Sequence, residues 1–348
     1  MDDDEQPLPY CQQPIRTREV IPTGLTAAHT YAIRVSLKKW LNGTVLHYAF
    51  LERDPDWDWP DAQKDVVHWA FDEWRKVGIG LQFKEVADLS EAEIKIGRKP
   101  NNKSWSYVGK EVLHNQIDGC TMNFGWDLTT SWGHATSLHE IGHTIGFEHE
   151  HQNPKSGIIW NEEAVYADFL KTDAWERDYT YENVIEKLEP NGAEGSAWDP
   201  TSIMEYPFKP GLIIAPKPYD TRGIGRNTQL SRSDKDWALY WYPATPQAAP
   251  IEVMELAPLN GANGSQSDFQ FRPEATRKYE IRTVGKADSR IVLFEERDGE
   301  PRHYAAADDA GTPDNAQISA KLIAGRNYIV RTRLHYRPPG AEAGLLIM

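Results

Sequence analysis

The segment SLHEIGHTIGFEHEH, residues 137–151, decides the fold and holds four histidines and three glutamates. Positions four apart on a helix lie on one face, so His139 and His143 can direct both imidazoles at one point. Gly146 can take the left-handed conformation that ends a helix, and the chain then turns back to bring His149 close to the first two. Three imidazoles leave one position open in a tetrahedral zinc shell, which is typical of a catalytic site.

Glu140 directly follows the first histidine, in the HExxH arrangement of zinc peptidases. It would flank the metal rather than bind it, where it can hold a water molecule and exchange its proton. The alternative is an ordinary helix with histidines on its polar face, which competes seriously for the short motif alone. The glycine and the third histidine favour metal binding, and three neutral nitrogen ligands are most consistent with one Zn²⁺ ion.

The heptapeptide TSIMEYP, residues 201–207, supplies a methionine of the kind that accompanies the long motif. The thioether of Met204 would lie beneath the zinc as part of an apolar floor, with no metal bond required. Tyr206 follows two positions later, and its phenol could reach the zinc or the oxyanion from the side. Ordinary burial in a core is the alternative for both residues.

Charge and composition exclude several classes of partner. The 348 residues include 52 acidic and 38 basic ones, and the formal charge of -14 repels phosphate backbones and anionic lipid surfaces. There is no apolar run of about twenty residues to span a bilayer, and the start lacks the basic flank and apolar stretch of a secretion signal. We therefore expect no nucleic-acid or membrane partner. Protein or peptide substrates and a monomeric state are separate expectations.

Local patterns divide the chain into four parts. Residues 1–37 carry several prolines and few periodic signals, which indicates an N-terminal extension and a possible propeptide. Residues 38–243 mix strand and helix patterns, among them a strand in WLNGTVLHYAFLE and a helix in DWPDAQKDVVHWAFDEWRKVG. Alanine and proline at 244–250 indicate a linker. Residues 251–348 contain short strands separated by turns, which predict a small all-β sandwich.

These motifs together resemble the astacin family of zinc metalloendopeptidases, within the metzincins. The resemblance covers roughly residues 38–243, and the segments that carry it are HEIGHTIGFEHEH (139–151), SIMEY (202–206) and WSYVG (105–109). TMNFGW (121–126) and EHQNP (150–154) are similar to the microbial branch of the family. The second domain resembles a bacterial pre-peptidase C-terminal domain.

The resemblance implies an α+β fold, with a two-lobed metzincin catalytic domain built on a twisted mixed sheet and a long active-site helix, followed by the all-β sandwich. It also implies secretion. The implied roles are zinc ligand for His139, His143 and His149, general base for Glu140, and mobile stabiliser of the tetrahedral intermediate for Tyr206.

The resemblance further implies an edge strand that pairs with an extended substrate. EIKIGR, residues 93–98, lies where the family has this strand, with Ile94, Lys95 and Ile96 at its centre. Such an edge offers backbone hydrogen bonds that do not depend on substrate side chains, which suits an endopeptidase.

Three positions depart from the family pattern. Ser104 stands where animal relatives have a cysteine, so the usual disulfide to the position near Cys120 cannot form. Glu205 stands where the family often has histidine. Glu150 would meet the mature amino terminus of a processed enzyme, but about forty residues precede the domain here, so Glu150 and His151 are interpreted as structural.

Cys11, in PYCQQP, carries a separate hypothesis. Its thiolate could occupy the open zinc position and hold the enzyme latent, because zinc favours sulfur. The alternatives are an unremarkable cysteine in a tail and a disulfide with Cys120.

The predicted reaction is hydrolysis of internal peptide bonds by a metal-activated water molecule, with Glu140 as the base. The alternatives are a latent zymogen or zinc-stabilised binding protein without turnover, and a zinc hydrolase of a non-peptide amide. In the second domain, a turn that contains Asp308, Asp309 and Asp314 could bind Ca²⁺, although turn aspartates more often cap loops.

Overall fold

The computed structural model describes residues 10–14, 38–52, 57, 59–99, 103–117, 119–188, 197–245, 248–297, 299–307 and 315–348. The described residues up to 244 form one compact unit, and those from 245 to 348 form a second. Within these ranges, no helix has the length and the apolar character needed to cross a membrane.

The first unit combines a five-stranded sheet, a two-stranded ribbon and several helices. Its strands are β1 (Val45–Phe50), β2 (Gln82–Glu85), β3 (Ile94–Gly97), β4 (Trp105–Ser106), β5 (Met122–Asn123), β6 (Ile159–Trp160) and β7 (Ile213–Ala215). Its helices are α1 (Asp61–Lys76), α2 (Ser131–Thr144), α3 (Glu162–Asp173), α4 (Arg177–Thr180), α5 (Tyr219–Arg222) and α6 (Arg232–Trp241).

The five-stranded sheet is mixed, with the order β2-β1-β3-β5-β4. Strands β1, β2, β3 and β5 run parallel, and β4 pairs antiparallel with β5. The predicted α+β class of this unit is thereby confirmed. Strands β6 and β7 come after α2 in the chain and pair with each other in the separate two-stranded ribbon.

The prediction that Ile94, Lys95 and Ile96 form an edge strand is wrong. These residues form β3, which pairs with β1 on one side and with β5 on the other. Both rows of backbone groups are therefore engaged inside the sheet, and no extended substrate can add to this strand. The edge next to β5 belongs to β4.

Helix α1 covers one face of the sheet because its apolar residues recur at helical spacing. Pro60 caps its start, and Arg75 and Lys76 lie in its last turn, where cations stabilise the helix dipole. Trp74 is fully buried, and its indole Nε1 donates to the carbonyl of Leu138 at 3.0 Å. This bond joins α1 to α2, so the sheet-side core supports the helix that carries the paired histidines.

Two separate apolar clusters lie within the first unit. The first packs α1 and α2 on the sheet, and its fully buried members include Leu46, Val67, Trp74, Ile94, Ile96, Phe124 and Ile141. The second gathers aromatic residues beyond α2, namely Tyr10, Trp160, Phe169, Trp175, Tyr206 and Phe208. The metal-binding motif lies where the chain passes from the first cluster to the second.

The second unit is all-β and consists of two sheets. Their orders are β13-β12-β15-β10-β8 and β14-β11-β16-β9. The strands are β8 (Ala249–Pro250), β9 (Leu256–Pro258), β10 (Gln266–Phe271), β11 (Arg277–Gly285), β12 (Asp288–Arg297), β13 (Glu300–Ala307), β14 (Gln317–Leu322), β15 (Tyr328–Tyr336) and β16 (Ala343–Ile347). The predicted all-β class is confirmed. Asp308, Asp309 and Asp314, the candidate calcium ligands, lie outside the described residues.

The buried carboxylate of Asp234 ties the start of α6 to the segment that contains Met204. Its Oδ1 accepts from the hydroxyl of Ser202 at 2.6 Å, and its Oδ2 accepts from the backbone N–H groups of Ile203 and Ser231, both at 2.8 Å. Each donor would otherwise be buried without a partner, which costs about 1–3 kcal/mol.

We expect Asp234→Asn to lower the free energy of unfolding of the first unit by about 2–4 kcal/mol, because an amide cannot accept on both sides. All 13 tryptophans lie between Trp40 and Trp241, so tryptophan fluorescence in urea follows this unit alone. Asp236→Asn is the matched control: that side chain is exposed and its ion pair with Arg232 contributes less than about 0.5 kcal/mol. Equal midpoints for the two variants would contradict the role of Asp234.

Candidate active site

Helix α2 presents His139 and His143 one turn apart on a buried face. The helix begins after Thr130, whose side chain accepts from the backbone N–H of Gly133. His139 is 8% exposed and His143 is fully buried. Their ring centroids lie 4.7 Å apart, so both imidazoles face one point.

The chain turns back directly after α2 and brings the third histidine to the same point. Gly146 has a φ of 101°, a conformation that favours glycine, and the N–H of Phe147 donates back to the carbonyl of Gly142 at 3.0 Å. After this turn, Nε2 of His149 lies 3.1 Å from Nε2 of His143. The predicted end of the helix at the glycine therefore corresponds to the structure.

Backbone carbonyls fix the orientation of the two helix imidazoles. Nδ1 of His139 donates to the carbonyl of Ile203, and Nδ1 of His143 donates to the carbonyl of Phe147, both at 2.8 Å. A neutral imidazole that donates through Nδ1 keeps a lone pair on Nε2. The lone pairs of both residues are thus available to a metal ion.

The three Nε2 atoms fit one zinc ion. Nε2 of His139 is buried and has no hydrogen-bond partner among the described residues. Zinc–nitrogen bonds of 2.0–2.1 Å in a tetrahedral shell separate two nitrogens by roughly 3.3 Å, close to the separation of the His143 and His149 nitrogens. The pKa of His139 lies well below its ordinary value because burial disfavours the cation, which keeps the imidazole in its metal-binding form.

Cys11 is the fourth member of this group. One ligand atom each from Cys11, His139, His143 and His149 lie within 4.8 Å of one another. The sulfur is 3.7 Å from Nε2 of His143 and donates to the Glu140 carboxylate at 3.5 Å. A thiolate and three imidazoles complete a tetrahedral zinc shell.

The five described residues around Cys11, numbered 10–14, are termed the plug. The N–H of Gln12 donates to the carbonyl of Ser104 at 2.8 Å, next to β4, and Cys11 forms a parallel bridge with Ser104. The hydroxyl of Tyr179 donates to the carbonyl of Gln13 at 2.9 Å. The plug therefore lies along the sheet edge next to the histidines, as an extended peptide would.

The disulfide between Cys11 and Cys120, one of the alternatives for Cys11, is not formed. Neither cysteine takes part in a disulfide, and both are buried. Cys120 lies beside the sheet, where its thiol donates to the carbonyl of Lys95 at 3.4 Å. The contacts of Cys11 are instead with the histidine group.

Glu140 lies beside the three histidines without joining them. It is fully buried, its Oε2 accepts from the Cys11 thiol, and its Oε1 has no hydrogen-bond partner among the described residues. Burial raises the pKa of this carboxyl well above its ordinary value. A carboxylate in such a place can take up a proton from a water molecule bound next to it.

Met204 and Tyr206 both lie close to the histidines. A Cβ atom built on Gly142 would lie only 2.5 Å from Sδ of Met204, so the thioether packs directly against α2. The ring of Tyr206 lies 4.4 Å from that of His149, and its hydroxyl donates to the carbonyl of Cys11. The phenol is thus close to the histidine group and bound to the plug.

Glu205 and Glu150 occupy different environments. Glu205 lines a pocket next to the histidines together with Trp126, Trp132 and Asn227, and its Oε2 accepts from Nε1 of Trp198 at 2.7 Å. Glu150 accepts from the side-chain amide of Asn153 and from the N–H of Asp199, both at 3.0 Å.

Sequence reasoning missed three contacts of this site. It did not find that Tyr10 enters the second apolar cluster, that the backbone beside Cys11 pairs with Ser104, or that Glu205 lines the pocket. For the first of these contacts the sequence did carry a signal, since Tyr10 is an aromatic residue directly before Cys11. The other two depend on the order of strands and on the path of a turn, which no local pattern indicates.

Comparisons with known proteins agree with this geometry. No family model matches the chain. A curated relative, zinc metalloproteinase nas-8 of Steinernema carpocapsae, is 25% identical over 197 residues, which cover 51% of this chain and 42% of that protein. The solved structure of myroilysin is 27% identical, covers 61% of this chain and 98% of that chain, and has a TM-score of 0.54.

The chain is therefore similar to astacin-type zinc metalloproteinases, and the resemblance predicted from the motifs is confirmed. The matched part of this chain spans less than half the length of the curated relative. The C-terminal part matches the pre-peptidase C-terminal domain of a collagenase from Bacillus anthracis at 15% identity and a TM-score of 0.25, over 30% of this chain and 97% of that chain.

We expect the protein to bind one zinc ion per chain. His149→Ala removes a ligand, so its zinc affinity should fall by more than the 10–100-fold that is typical of losing a residue that only hydrogen-bonds to a ligand. Competition with a chromophoric chelator measures the affinity. His151→Ala is the matched control, because Nε2 of that buried imidazole donates to the carbonyl of Asn183 instead. Equal losses of zinc in the two folded variants would contradict the assignment of His149.

Proposed function

We propose that this protein is a zinc endopeptidase that hydrolyses internal peptide bonds, and that the plug holds it latent. The observation that carries the proposal is the convergence of three imidazoles with the buried carboxyl group of Glu140 beside them. The similarity to a zinc metalloproteinase supports the same reaction class.

His139, His143 and His149 would hold the metal. When bound, Zn²⁺ supplies a Lewis acid for the scissile carbonyl and lowers the pKa of a water molecule at the open position. Glu140 then accepts the proton of that water and later delivers it to the leaving amine. Because Glu140 is buried and its Oε1 has no protein partner among the described residues, it can hold this proton between the two steps.

Tyr206 would stabilise the negative charge that develops on the carbonyl oxygen. In the structure its hydroxyl already donates to a peptide carbonyl, that of Cys11, which lies in the cleft. A substrate carbonyl in the same place would receive the same hydrogen bond, and such a donor is most effective when it is fixed in advance. Burial raises the pKa of the phenol well above its ordinary value, so it stays a donor.

Cys11 would exclude water and substrate from the open position. Its sulfur lies within reach of the metal site, and the backbone of the plug uses Ser104 and Tyr206, the groups that an extended substrate needs. A single segment thus blocks both the metal and the edge of β4. Removal or displacement of residues 10–14 would release the activity.

Protein substrates, secretion and a zymogen form are parts of this proposal that rest on the resemblance and on the plug. A binding protein without turnover is disfavoured by the arrangement of Glu140 and Tyr206. A hydrolase of non-peptide amides is disfavoured by the backbone pairing next to β4, which suits a peptide.

We expect Glu140→Gln to lower the rate of casein cleavage by about 10²–10⁴-fold, because the amide cannot accept the proton of water. Zinc content, measured by atomic absorption, should stay at the wild-type value. Glu163→Gln, at an exposed carboxylate on α3, is the control and should leave the rate unchanged. A Glu140→Gln variant that still cleaves casein at the normal rate would refute the assignment.

We expect Cys11→Ser to raise the activity of the intact chain by roughly tenfold or more, since zinc binds a thiolate more strongly than a hydroxyl. Chelator-sensitive cleavage of a fluorogenic peptide is the measurement, before any processing of the chain. Cys120→Ser removes the other buried thiol, which lies beside the sheet, and should leave latency intact. No rise for Cys11→Ser, or an equal rise for both variants, would argue against the plug as the inhibitory element.

A further inference from the structure

Tyr10 fills an aromatic pocket next to the metal site. Its ring is 1% exposed and lies 4.5 Å from Phe169, 5.3 Å from Tyr206 and 6.4 Å from Trp175 and Phe208, measured between ring centroids. These four residues belong to the second apolar cluster of the first unit. The side chain is therefore held as tightly as a core residue, although it belongs to a short segment lying in the cleft.

The neighbours of Tyr10 in the chain are bound by the groups that would bind a substrate. Cys11 contacts the histidine group, its carbonyl accepts from Tyr206, and the next N–H donates to Ser104. An extended peptide places successive side chains at fixed intervals along the cleft. The pocket of Tyr10 thus lies one residue from the point at which the proposed reaction occurs.

We propose that this aromatic pocket is the main specificity subsite of the enzyme, that it selects a phenylalanine or tyrosine side chain adjacent to the cleaved bond, and that Tyr10 occupies it in the latent chain. This inference rests on the proposed function. It adds the substrate class, which neither the metal site nor the resemblance provides.

The polar groups around the pocket exclude acidic side chains. Asp168 and Asp173 lie near the Tyr10 hydroxyl and pair with Lys209 at 2.7 Å and with Lys103 at 2.6 Å. Each lysine is already paired with one of these carboxylates, and Oδ2 of Asp168 has no hydrogen-bond partner among the described residues, so a further carboxylate in the pocket would be placed next to like charges.

The pocket accepts phenylalanine at least as well as tyrosine. The hydroxyl of Tyr10 is buried and finds no hydrogen-bond partner among the described residues. Removing a buried hydroxyl that makes no bond removes a desolvation penalty, whereas removing the whole ring loses its apolar burial. The expected order of preference is phenylalanine, tyrosine, alanine and, last, glutamate.

The test uses the full-length, zinc-loaded double variant Tyr10→Ala and Cys11→Ala, in which the plug has lost its two anchoring side chains and competes less strongly for the cleft, and synthetic peptides of residues 9–14. Calorimetry measures binding of the natural peptide and of its Tyr10→Phe, Tyr10→Ala and Tyr10→Glu forms, all of which keep the cysteine. We expect the phenylalanine form to bind at least as tightly as the natural one. The alanine form should bind about 30-fold more weakly, which corresponds to ~2 kcal/mol at 1.4 kcal/mol per tenfold.

Two further protein variants locate the effect. Phe169→Ala in the same background should abolish the difference between the natural and alanine peptides, whereas Tyr240→Ala, at an exposed ring elsewhere, should keep it. The peptide series does not depend on these variants, so the inference can still be tested if Phe169→Ala does not fold. Equal binding of all four peptides would overturn it.

A peptide library then separates the subsite from the reaction. Chelator-sensitive cleavage with aromatic residues enriched next to the cleaved bond supports the inference. Chelator-sensitive cleavage without that enrichment overturns the subsite and leaves the proposed function intact. Absence of cleavage, together with the expected order of peptide affinities, supports the pocket and refutes the proposed function.

Discussion

The hydrogen bond from Nδ1 of His139 to the carbonyl of Ile203 is the constraint on which the rest of the site depends. It joins residues 64 positions apart and fixes the face that the imidazole turns toward the metal site. Ile203 is itself held by the buried carboxylate of Asp234, whose other bonds reach the start of α6. Three separate segments of the chain thus determine the orientation of one ligand. The segment around Met204 is one of them, because it supplies the carbonyl that orients His139.

A second set of contacts makes the plug and a substrate compete for the same cleft. The backbone of the plug forms hydrogen bonds with Ser104 and Tyr206. Its sulfur contacts the histidine group, and the ring of Tyr10 fills the aromatic pocket. These are four contacts of three kinds, and three consecutive residues make them. A substrate must replace all of them, and the loss of any one of them weakens the hold of the plug on the cleft.

The metal motif could be predicted from sequence because its geometry is local. His139 and His143 follow from helical spacing, and the position of His149 follows from the conformational freedom of Gly146, whose φ is 101°. The edge strand was placed wrongly because alternation of apolar residues identifies a strand but not its neighbours, and β3 lies between β1 and β5. The contacts of Cys11 with Glu140 and Tyr206 join residues 129 and 195 positions apart, and chain patterns carry no information at that range.

Because the plug belongs to the chain it blocks, its competition with substrate is governed by an effective concentration and not by the amount of protein in solution. A segment that is covalently joined to its own binding site acts at an effective concentration that can reach the millimolar range. Dilution therefore leaves the cleft closed, while a single cut between residue 14 and Lys38 turns the same segment into a free peptide whose concentration falls with dilution. The peptide bonds after Pro14 thus determine whether inhibition is independent of concentration or is lost on dilution.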